Sequence, residues 1–346
     1  MSVDLTTTYL GLTLRNPLGV SACPPLTGDV DMLRRLEAAG AAVVVLPSLF
    51  EEQIAHDEME IQRLLDFHTD SYAESLDYFP DLHDYNTGPG EYLRLVESAK
   101  SALSIPVIGS LNGCSRGGWT HYARSIELAG ADALELNIYF VPTDPHETSA
   151  QVEQRYLDLV ADVRRSISIP LAVKIGPNFT SLPHFATQLV AAGADGLVLF
   201  NRYLEADIDL QQLRFRPDLI LSQRHEARIP IRWIALLRDH VTASLAANSG
   251  IHRVDGIVKQ LLVGADVCMI AAILMMKGPE FLQVLLKELE VWLAEHEYES
   301  VQQMKGSMSQ GKCADPGSLV RANYMQALIS YSSAHPMPGD GHSPAR

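Results

Sequence analysis

Four times along the chain, a stretch with helical spacing of apolar residues ends at a Gly-Ala step, and a short, largely apolar run follows. Ala39-Gly40-Ala41 leads into VVVL, Ala129-Gly130-Ala131-Asp132 into ALEL, Ala192-Gly193-Ala194-Asp195 into GLVL, and Val263-Gly264-Ala265-Asp266 into VCMI. Glycine just past a helix accepts the positive φ of a C-terminal cap. Runs apolar on both faces suit a buried parallel strand. Filling in between these marks predicts strands over 17–22, 42–46, 106–111, 133–138, 171–175, 196–200, 243–247 and 267–271. Helices are predicted at about 29–39, 90–103, 119–129, 147–166, 181–192, 229–240, 253–263 and 278–296. Strict strand–helix alternation implies parallel strands joined by right-handed crossovers. Eight units favour a closed (β/α)8 TIM barrel of the α/β class over an open sheet.

Two connections exceed plain βα loops, and both follow strands, on the face where barrel active sites form. The first, residues 50–90, is a long acidic insertion after strand 2. Between 50 and 85 it holds eleven acidic residues and one basic residue, Arg63. His56, His68, His83, Tyr72, Tyr78 and Tyr85 also lie there. No HxH or HxxxH pair occurs among them, so a solvated acidic surface is the reading rather than a metal site. The second connection runs from Asn201 to Ile229. Residues 1–310 are read as the barrel. Residues 311–346 are read as a C-terminal helix, near 316–332, and a disordered Pro/Gly-rich tail.

Of the 346 residues 47% are hydrophobic and 20% charged, a globular composition with an ample core, and the net charge is −15. That charge argues against nucleic acid or an anionic membrane as partner. Any bound phosphate must then be held by local geometry. The four cysteines, Cys23, Cys114, Cys268 and Cys313, show no CxxC spacing, so buried reduced thiols are expected rather than zinc or an iron–sulfur cluster. The first residues, MSVDLTTTYLGL, have neither a basic region nor a long apolar segment. A cytoplasmic protein is expected.

Barrel chemistry sits at strand C-termini. Those positions carry Ser21 and Ala22, Pro47 and Ser48, Ser110 and Asn112, Asn137 and Tyr139, Lys174, Asn201, Ser249 and Gly250, and Ala271 and Ala272. They include no carboxylate pair for glycosidase chemistry and no His/Asp metal cage. Ser249-Gly250, before the helix at 253–263, leaves backbone N–H groups open to close approach, as a phosphate requires. The turn after the next strand, at Ala271-Ala272, is its natural partner, because the last two βα turns are the usual phosphate seat. Lys174 ends an otherwise apolar strand, LAVKIGP. It reads as a fixed cation in a dry barrel mouth, able to stabilise a reduced flavin or an enolate. A Schiff-base lysine and a lysine merely snorkelling at a strand end are the alternatives. Asn137 and Asn201 read as amides for a planar polar ring or as turn caps.

With these residues in place, the chain resembles the dihydroorotate dehydrogenase family of FMN-dependent barrels, from about Leu10 to about Gly306. The carrying segments are Asn16-Pro17-Leu18-Gly19-Val20-Ser21-Ala22, Glu135-Leu136-Asn137, Val173-Lys174, Asn201, Ser249-Gly250-Ile251, Gly264-Ala265-Asp266 and Lys277-Gly278-Pro279. The resemblance implies that Ser21 and Ala22 pack against the flavin and that Asn112 and Asn137 bond flavin or substrate. It implies Lys174 at the flavin's pyrimidine edge, the FMN phosphate on Ser249-Gly250 and Ala271-Ala272, and Asn201 on a substrate amide. The sequence also departs from the pattern. Where the family carries a catalytic Cys or Ser that removes the substrate C5 proton, Phe140 stands, and Phe cannot take a proton. The lysine usual after the second strand is missing from Val45-Leu46-Pro47-Ser48, and Pro142 replaces a substrate-binding asparagine. Tyr139 and Cys114 are the substitute acid/base candidates.

The expectation is an FMN oxidoreductase passing a hydride between dihydroorotate, or a similar small planar substrate, and the flavin, in a reaction like that of pyrimidine biosynthesis. A homodimer is expected, with an electron-acceptor partner protein as a further candidate. The alternatives are a flavoenzyme for another substrate, a non-catalytic flavin-binding partner of a redox enzyme, and a flavin-free Lys174 aldolase-type barrel.

Overall fold

Apolar runs buried on both faces close edge to edge into a barrel in the computed structural model, which describes residues 3–51, 53–54, 88–113, 119–139, 141–202, 206–320, 324–325 and 329–330. Strands β1 (Thr7–Tyr9) and β2 (Leu12–Leu14) form an antiparallel hairpin. The barrel comprises β3 (Leu18–Val20), β4 (Val43–Phe50), β5 (Val107–Asn112), β6 (Ala133–Asn137), β7 (Leu171–Ile175), β8 (Gly196–Leu199), β11 (Ser244–Asn248) and β12 (Val267–Ile270). Taken round the ring they lie in chain order, and β12 pairs with β3 to close it. Every barrel pairing is parallel. The fold is the (β/α)8 TIM barrel expected from the eight repeats.

The outer helices are Val30–Ala38, Pro89–Ala102, Trp119–Leu128, Ser149–Ser166, Leu182–Ala191, Arg228–Leu237, Val254–Val263 and Phe281–Glu295. Each matches a predicted helix. Three differences have physical reasons. Strand β4 continues past Pro47 to Phe50 because its register against β5 shifts between Val45 and Ser48, which accommodates a residue without an N–H. The second long connection contains another hairpin, β9 (Ala206–Asp209) with β10 (Arg214–Pro217). A short helix, Ala272–Lys277, precedes Gly278, whose φ of 85° separates it from the last outer helix. The acidic insertion falls largely outside the described residues, which resume at residue 88. Of the helix predicted near 316–332, Gly317–Val320 is described as helical, and the chain beyond Val320 lies mostly outside the described residues.

The recurrent Gly-Ala-Asp punctuation proves to be a structural repeat. Gly130, Gly193 and Gly264 have φ of 96°, 113° and 117°, the left-handed region that ends a helix at low cost for glycine. The aspartate after each Gly-Ala step reaches sideways. Asp132 accepts from the Val107 N–H at 2.7 Å, Asp195 from Leu171 at 2.8 Å and Asp266 from Leu245 at 2.8 Å. The donors are the first residue of β5, the first of β7 and the second of β11, so each aspartate accepts an N–H at the start of a neighbouring strand. Each also pairs with a cation from an outer helix or its end: Lys100, Arg164 and Arg238 respectively. Asp266 gains a second, Lys305, and that pair is nearly fully buried, at 2.8 Å. No pattern of apolar residues announces this device.

Residues alternate between two cores. One face of each strand packs against the helices, through Leu18, Val20, Leu134, Leu136, Val173 and Leu197 among others. The other face fills the barrel, where Val43, Val45, Ile108, Ala133, Ala172, Val198, Ala246 and Val267 meet Tyr9, Leu10 and Leu14 of the β1–β2 hairpin. The hairpin therefore plugs the barrel floor. No helix among the described residues is long and apolar enough to cross a membrane.

Replacing Asp266 by Ala strands the buried Lys305 ammonium and the Leu245 N–H together. The expected loss is about 3–5 kcal/mol, as for breaking one side of a buried ion pair, read by denaturant unfolding. A loss under about 1 kcal/mol, the value of a surface pair, contradicts the role given to this aspartate.

Candidate active site

The interior face of each strand continues upward in steps of two, and its chemistry changes on the way. Ala133 is followed by Glu135 and Asn137, Ala172 by Lys174, Ala246 by Asn248, and Ile108 by Ser110 and Asn112. Side chains two apart point to the same side of a strand. The lower interior is small and apolar; the upper interior, toward the strand C-termini, is polar. Cross-strand register aligns these positions: Asn112 opposes Asn137, and Asn137 opposes Lys174.

Lys174 is only 5% exposed. Its Nζ lies 3.3 Å from Glu135 Oε1 and 3.5 Å from the hydroxyl of Ser21. The Glu135 side chain is 2% exposed. A lysine snorkelling into water is thereby ruled out. A buried ion pair of this kind is seldom a net source of stability, since apolar replacements of similar volume are often neutral or better. Its presence at the strand C-termini points to chemistry.

The other predicted residues gather on the same rim. Asn201 Nδ2 donates to Asn137 Oδ1 at 2.9 Å, and the Asn201 N–H bonds Ile175 O at 2.8 Å. Ser21 is buried, and its N–H bonds Ile270 O at 3.1 Å, fastening the end of β3 to that of β12. Ala22, Asn112 and Tyr139 are half-buried at the ends of their strands. Ser249 and Gly250 have φ of 77° and 73°. This turn is braced from β8, because Asn248 Nδ2 donates to Phe200 O at 2.8 Å and the Ser249 hydroxyl lies 3.4 Å from the same oxygen. Ala271 and Ala272, half-buried, open the turn after β12. Because β11 and β12 are parallel neighbours, these two turns share one rim.

Gly250 is fixed by more than ligand access. A Cβ there would lie 2.3 Å from the Ala227 backbone nitrogen and 2.9 Å from Gln223 O, so the 3-10 turn Arg224–Ala227 packs directly onto it. At this position only glycine meets both the φ and the space. Pro47 lies at the register shift of β4, where the Ser48 and Ser110 hydroxyls are 2.8 Å apart. The Tyr92 hydroxyl braces Ser110 beneath them, accepting from its N–H at 2.7 Å and lying 3.1 Å from its O. Burial drives the Tyr92 phenol upward, so it stays neutral.

Sequence reading missed three groups. Glu135 stood in the Glu-Leu-Asn segment without a role, although its spacing of two from Asn137 puts both on the interior face. Tyr9 rises from the floor, fully buried, and its hydroxyl has no hydrogen-bond partner among the described residues. Burial, then the charges of Glu135 and Asp266, hold that phenol well above its ordinary range. Tyr92 gave no signal, because nothing in a helix pattern marks a residue that reaches into the adjacent strand. Cys23 sits at the mouth with its Sγ 3.4 Å from Met275 Sδ. Burial pushes the thiol up from its ordinary value, so at neutral pH it is a thiol and not a base. Cys268 is fully buried, while Cys23 and Cys313 are half-buried. Among the described residues no group of three side chains is placed to hold a metal ion.

The sequence profile of the dihydroorotate dehydrogenase family matches residues 83–293, more than half of the chain. The chain belongs to the dihydroorotate dehydrogenase family. It is 24% identical over 314 residues to the catalytic subunit of dihydroorotate dehydrogenase B (NAD(+)) of Thermoplasma acidophilum, an alignment covering 88% of this chain and 98% of that protein. The corresponding subunit of Listeria welshimeri is 28% identical over 215 residues, covering 59% and 68%. Dihydroorotate dehydrogenase A (fumarate) of Lactobacillus delbrueckii subsp. bulgaricus is 24% identical over 181 residues, covering 50% and 58%.

Family membership makes the chain an oxidoreductase of dihydroorotate dehydrogenase type. Phe140, read at the family's base position, and Cys114, read as a substitute acid/base candidate, lie outside the described residues. In Val45-Leu46-Pro47-Ser48, the segment that lacks the lysine expected from the resemblance, the Ser48 hydroxyl bonds that of Ser110.

Tyr9→Phe removes a buried hydroxyl that gains nothing from a partner. Unfolding stability is expected to stay level or to rise by about 1 kcal/mol, the desolvation relieved. A fall of that size in denaturant titration contradicts an unpartnered hydroxyl on the barrel floor.

Proposed function

We propose that this chain is an FMN-dependent oxidoreductase that moves a hydride between a small planar substrate, dihydroorotate or a close relative, and the flavin. The observation that carries the reading is the buried Lys174 ammonium at the strand C-termini, on the rim that also bears two small-residue turns side by side. The donor set suits a flavin mononucleotide. Backbone N–H groups at Ser249-Gly250 and Ala271-Ala272 would hold the phosphate, where few side chains obstruct approach. Ser21 and Ala22 would pack against the ring, Asn112 and Asn137 would bond its polar edge, and Lys174 would face the pyrimidine side.

Bound FMN supplies the ring that takes up the hydride. The chain's own residues do the rest. Lys174 would place a fixed positive charge beside the ring, where the reduced form gathers negative charge, and the ammonium is already buried in the barrel mouth. Asn201, held by Asn137 at 2.9 Å, presents an amide to the substrate, so orientation is set before reaction. Tyr139, just past β6, is the residue proposed to move the substrate proton in place of the family's Cys or Ser. A protein partner for electron delivery and a homodimeric assembly complete the proposal.

A second reading has specific support. Phe140 at the base position and the absence of the usual lysine from Val45-Leu46-Pro47-Ser48 both favour a flavoenzyme acting on a substrate other than dihydroorotate. The names of the relatives supply the acceptors to try, NAD(+) and fumarate. The visible spectrum of the purified protein is expected to show a flavin, and the released chromophore to be FMN; a colourless protein refutes the proposal. Dihydroorotate is then offered with each acceptor. Turnover supports the first reading, and its absence from fully loaded protein supports the second.

Gly250 is a poor probe of the phosphate seat, since any side chain there collides with Ala227. Ala272→Asp is cleaner. An acidic residue in the first turn of a helix is tolerated or mildly favourable, yet here it sets a carboxylate beside the phosphate. Flavin affinity is expected to fall at least about tenfold, ~1.4 kcal/mol, with an unchanged unfolding midpoint. Full flavin occupancy in this variant moves the seat elsewhere.

A further inference from the structure

The lysine at the barrel mouth is held from beneath. Glu135 opposes Ala172 in the β6–β7 register, while Asn137 opposes Lys174, so the carboxylate comes from one interior layer below the ammonium. Nζ reaches Glu135 Oε1 at 3.3 Å and the Ser21 hydroxyl, from across the barrel, at 3.5 Å. An ammonium has three N–H donors. Among the described residues two are engaged by side chains of the barrel itself, and the third is left for whatever fills the mouth. Beside Glu135 the register places Ser110, and below it the interior side chains include Ala133, Ala172, Val198 and Ala246. The Tyr9 phenol below is held neutral, by burial first and then by this same carboxylate. Among the described residues, Lys174 is the ion partner of Glu135, and the pair is shielded from water at 6% and 2% side-chain exposure.

We infer that Glu135 is a positioning residue for the redox site: it fixes the direction of the Lys174 ammonium and screens its charge toward the flavin. This rests on the flavin reading proposed above. A lysine stem has four rotatable bonds and a strongly hydrated head. Without a carboxylate beneath it, the head would swing toward the mouth and present its whole charge. With the carboxylate in place, the flavin meets a cation that is partly neutralised and held still.

The test is a double-substitution cycle on the holoenzyme, using Glu135→Gln, Lys174→Met and both together. The reduction potential of bound flavin is the first readout. Glu135→Gln is expected to raise it by at least a tenfold shift in the redox equilibrium, about 30 mV for a two-electron couple. That shift is expected to vanish in the Lys174→Met background. For a variant that holds flavin too weakly, the same cycle is read from the FMN dissociation constant. The second readout is the denaturant midpoint of each protein as purified, which both single substitutions lower and which the pair of substitutions lowers by less than the sum. If the potential falls or does not move, or if Glu135→Gln acts equally with and without Lys174, the positioning role is overturned while the flavin reading stands. If the wild-type protein holds no flavin, the flavin reading fails and takes this inference with it. Additive midpoints then overturn the pairing as well.

Discussion

A strand in a closed barrel buries both of its faces, and every second side chain must fit a space that has no exit except at the two ends. That constraint governs this molecule. The outward series can be uniformly apolar, because it meets helices. The inward series has to be graded: apolar where the hairpin seals the floor, and polar only as far up as water or a ligand can reach. A carboxylate and an ammonium near the middle of that gradient survive only as a pair, since either alone would carry a desolvation cost of several kcal/mol. Glu135 and Lys174 thus depend on each other, and the polar rim above them depends on both being in place.

The architecture was legible because it is written in repeated local signals. Apolar runs and helical spacing alternate through eight units, Gly-Ala steps punctuate four of them, and the strand and helix positions read from them lie close to those of the fold. Pro47 shows the limit of such reading. Proline ordinarily ends a strand that needs its N–H, and the predicted strand stops short of it. A shift of register lets β4 carry it and run on to Phe50. The Asp132, Asp195 and Asp266 bonds were visible as a motif yet opaque as a mechanism. Each aspartate serves a neighbouring strand that lies more than twenty residues earlier, and no local pattern reports such a contact.

The site was legible residue by residue at the strand ends, where position alone assigns a side chain to the rim. It was less so below. Lys174 draws notice as a charge in an apolar run, but Glu135, equally out of place in ALEL, goes without a role when Glu-Leu-Asn is read as one segment. Counting in twos from Asn137 turns it inward and makes it the evident partner for a buried cation. Tyr9 and Tyr92 needed the fold, since each enters the site region from an element that carries none of the other site residues. Phe140, at the expected base position, and Cys114, a substitute candidate, lie outside the described residues, which leaves Tyr139 as the base candidate within them.

Two kinds of recognition on this rim are separable, and the separation bears on why the chain departs from its family where it does. A protein of net charge −15 cannot draw a phosphate by its overall field, which over most of its surface opposes an anion. The proposed seat answers this with backbone. N–H groups at two turns carry partial positive charge that no substitution of side chains removes, and their geometry is set by positive φ at Ser249 and Gly250 and by the packing of Ala227 onto the turn. Proton removal and substrate contact, by contrast, rest on single side chains at strand ends, and the departures expected from the resemblance fall there: Phe140 at the base position, Pro142 in place of a substrate-binding asparagine, and Val45-Leu46-Pro47-Ser48 without its lysine. Backbone-built binding persists through sequence change that erases side-chain chemistry. On the proposed reading, a backbone-built cofactor seat beside an altered base is the combination such a barrel is disposed to reach, with the substrate rather than the cofactor as the variable part.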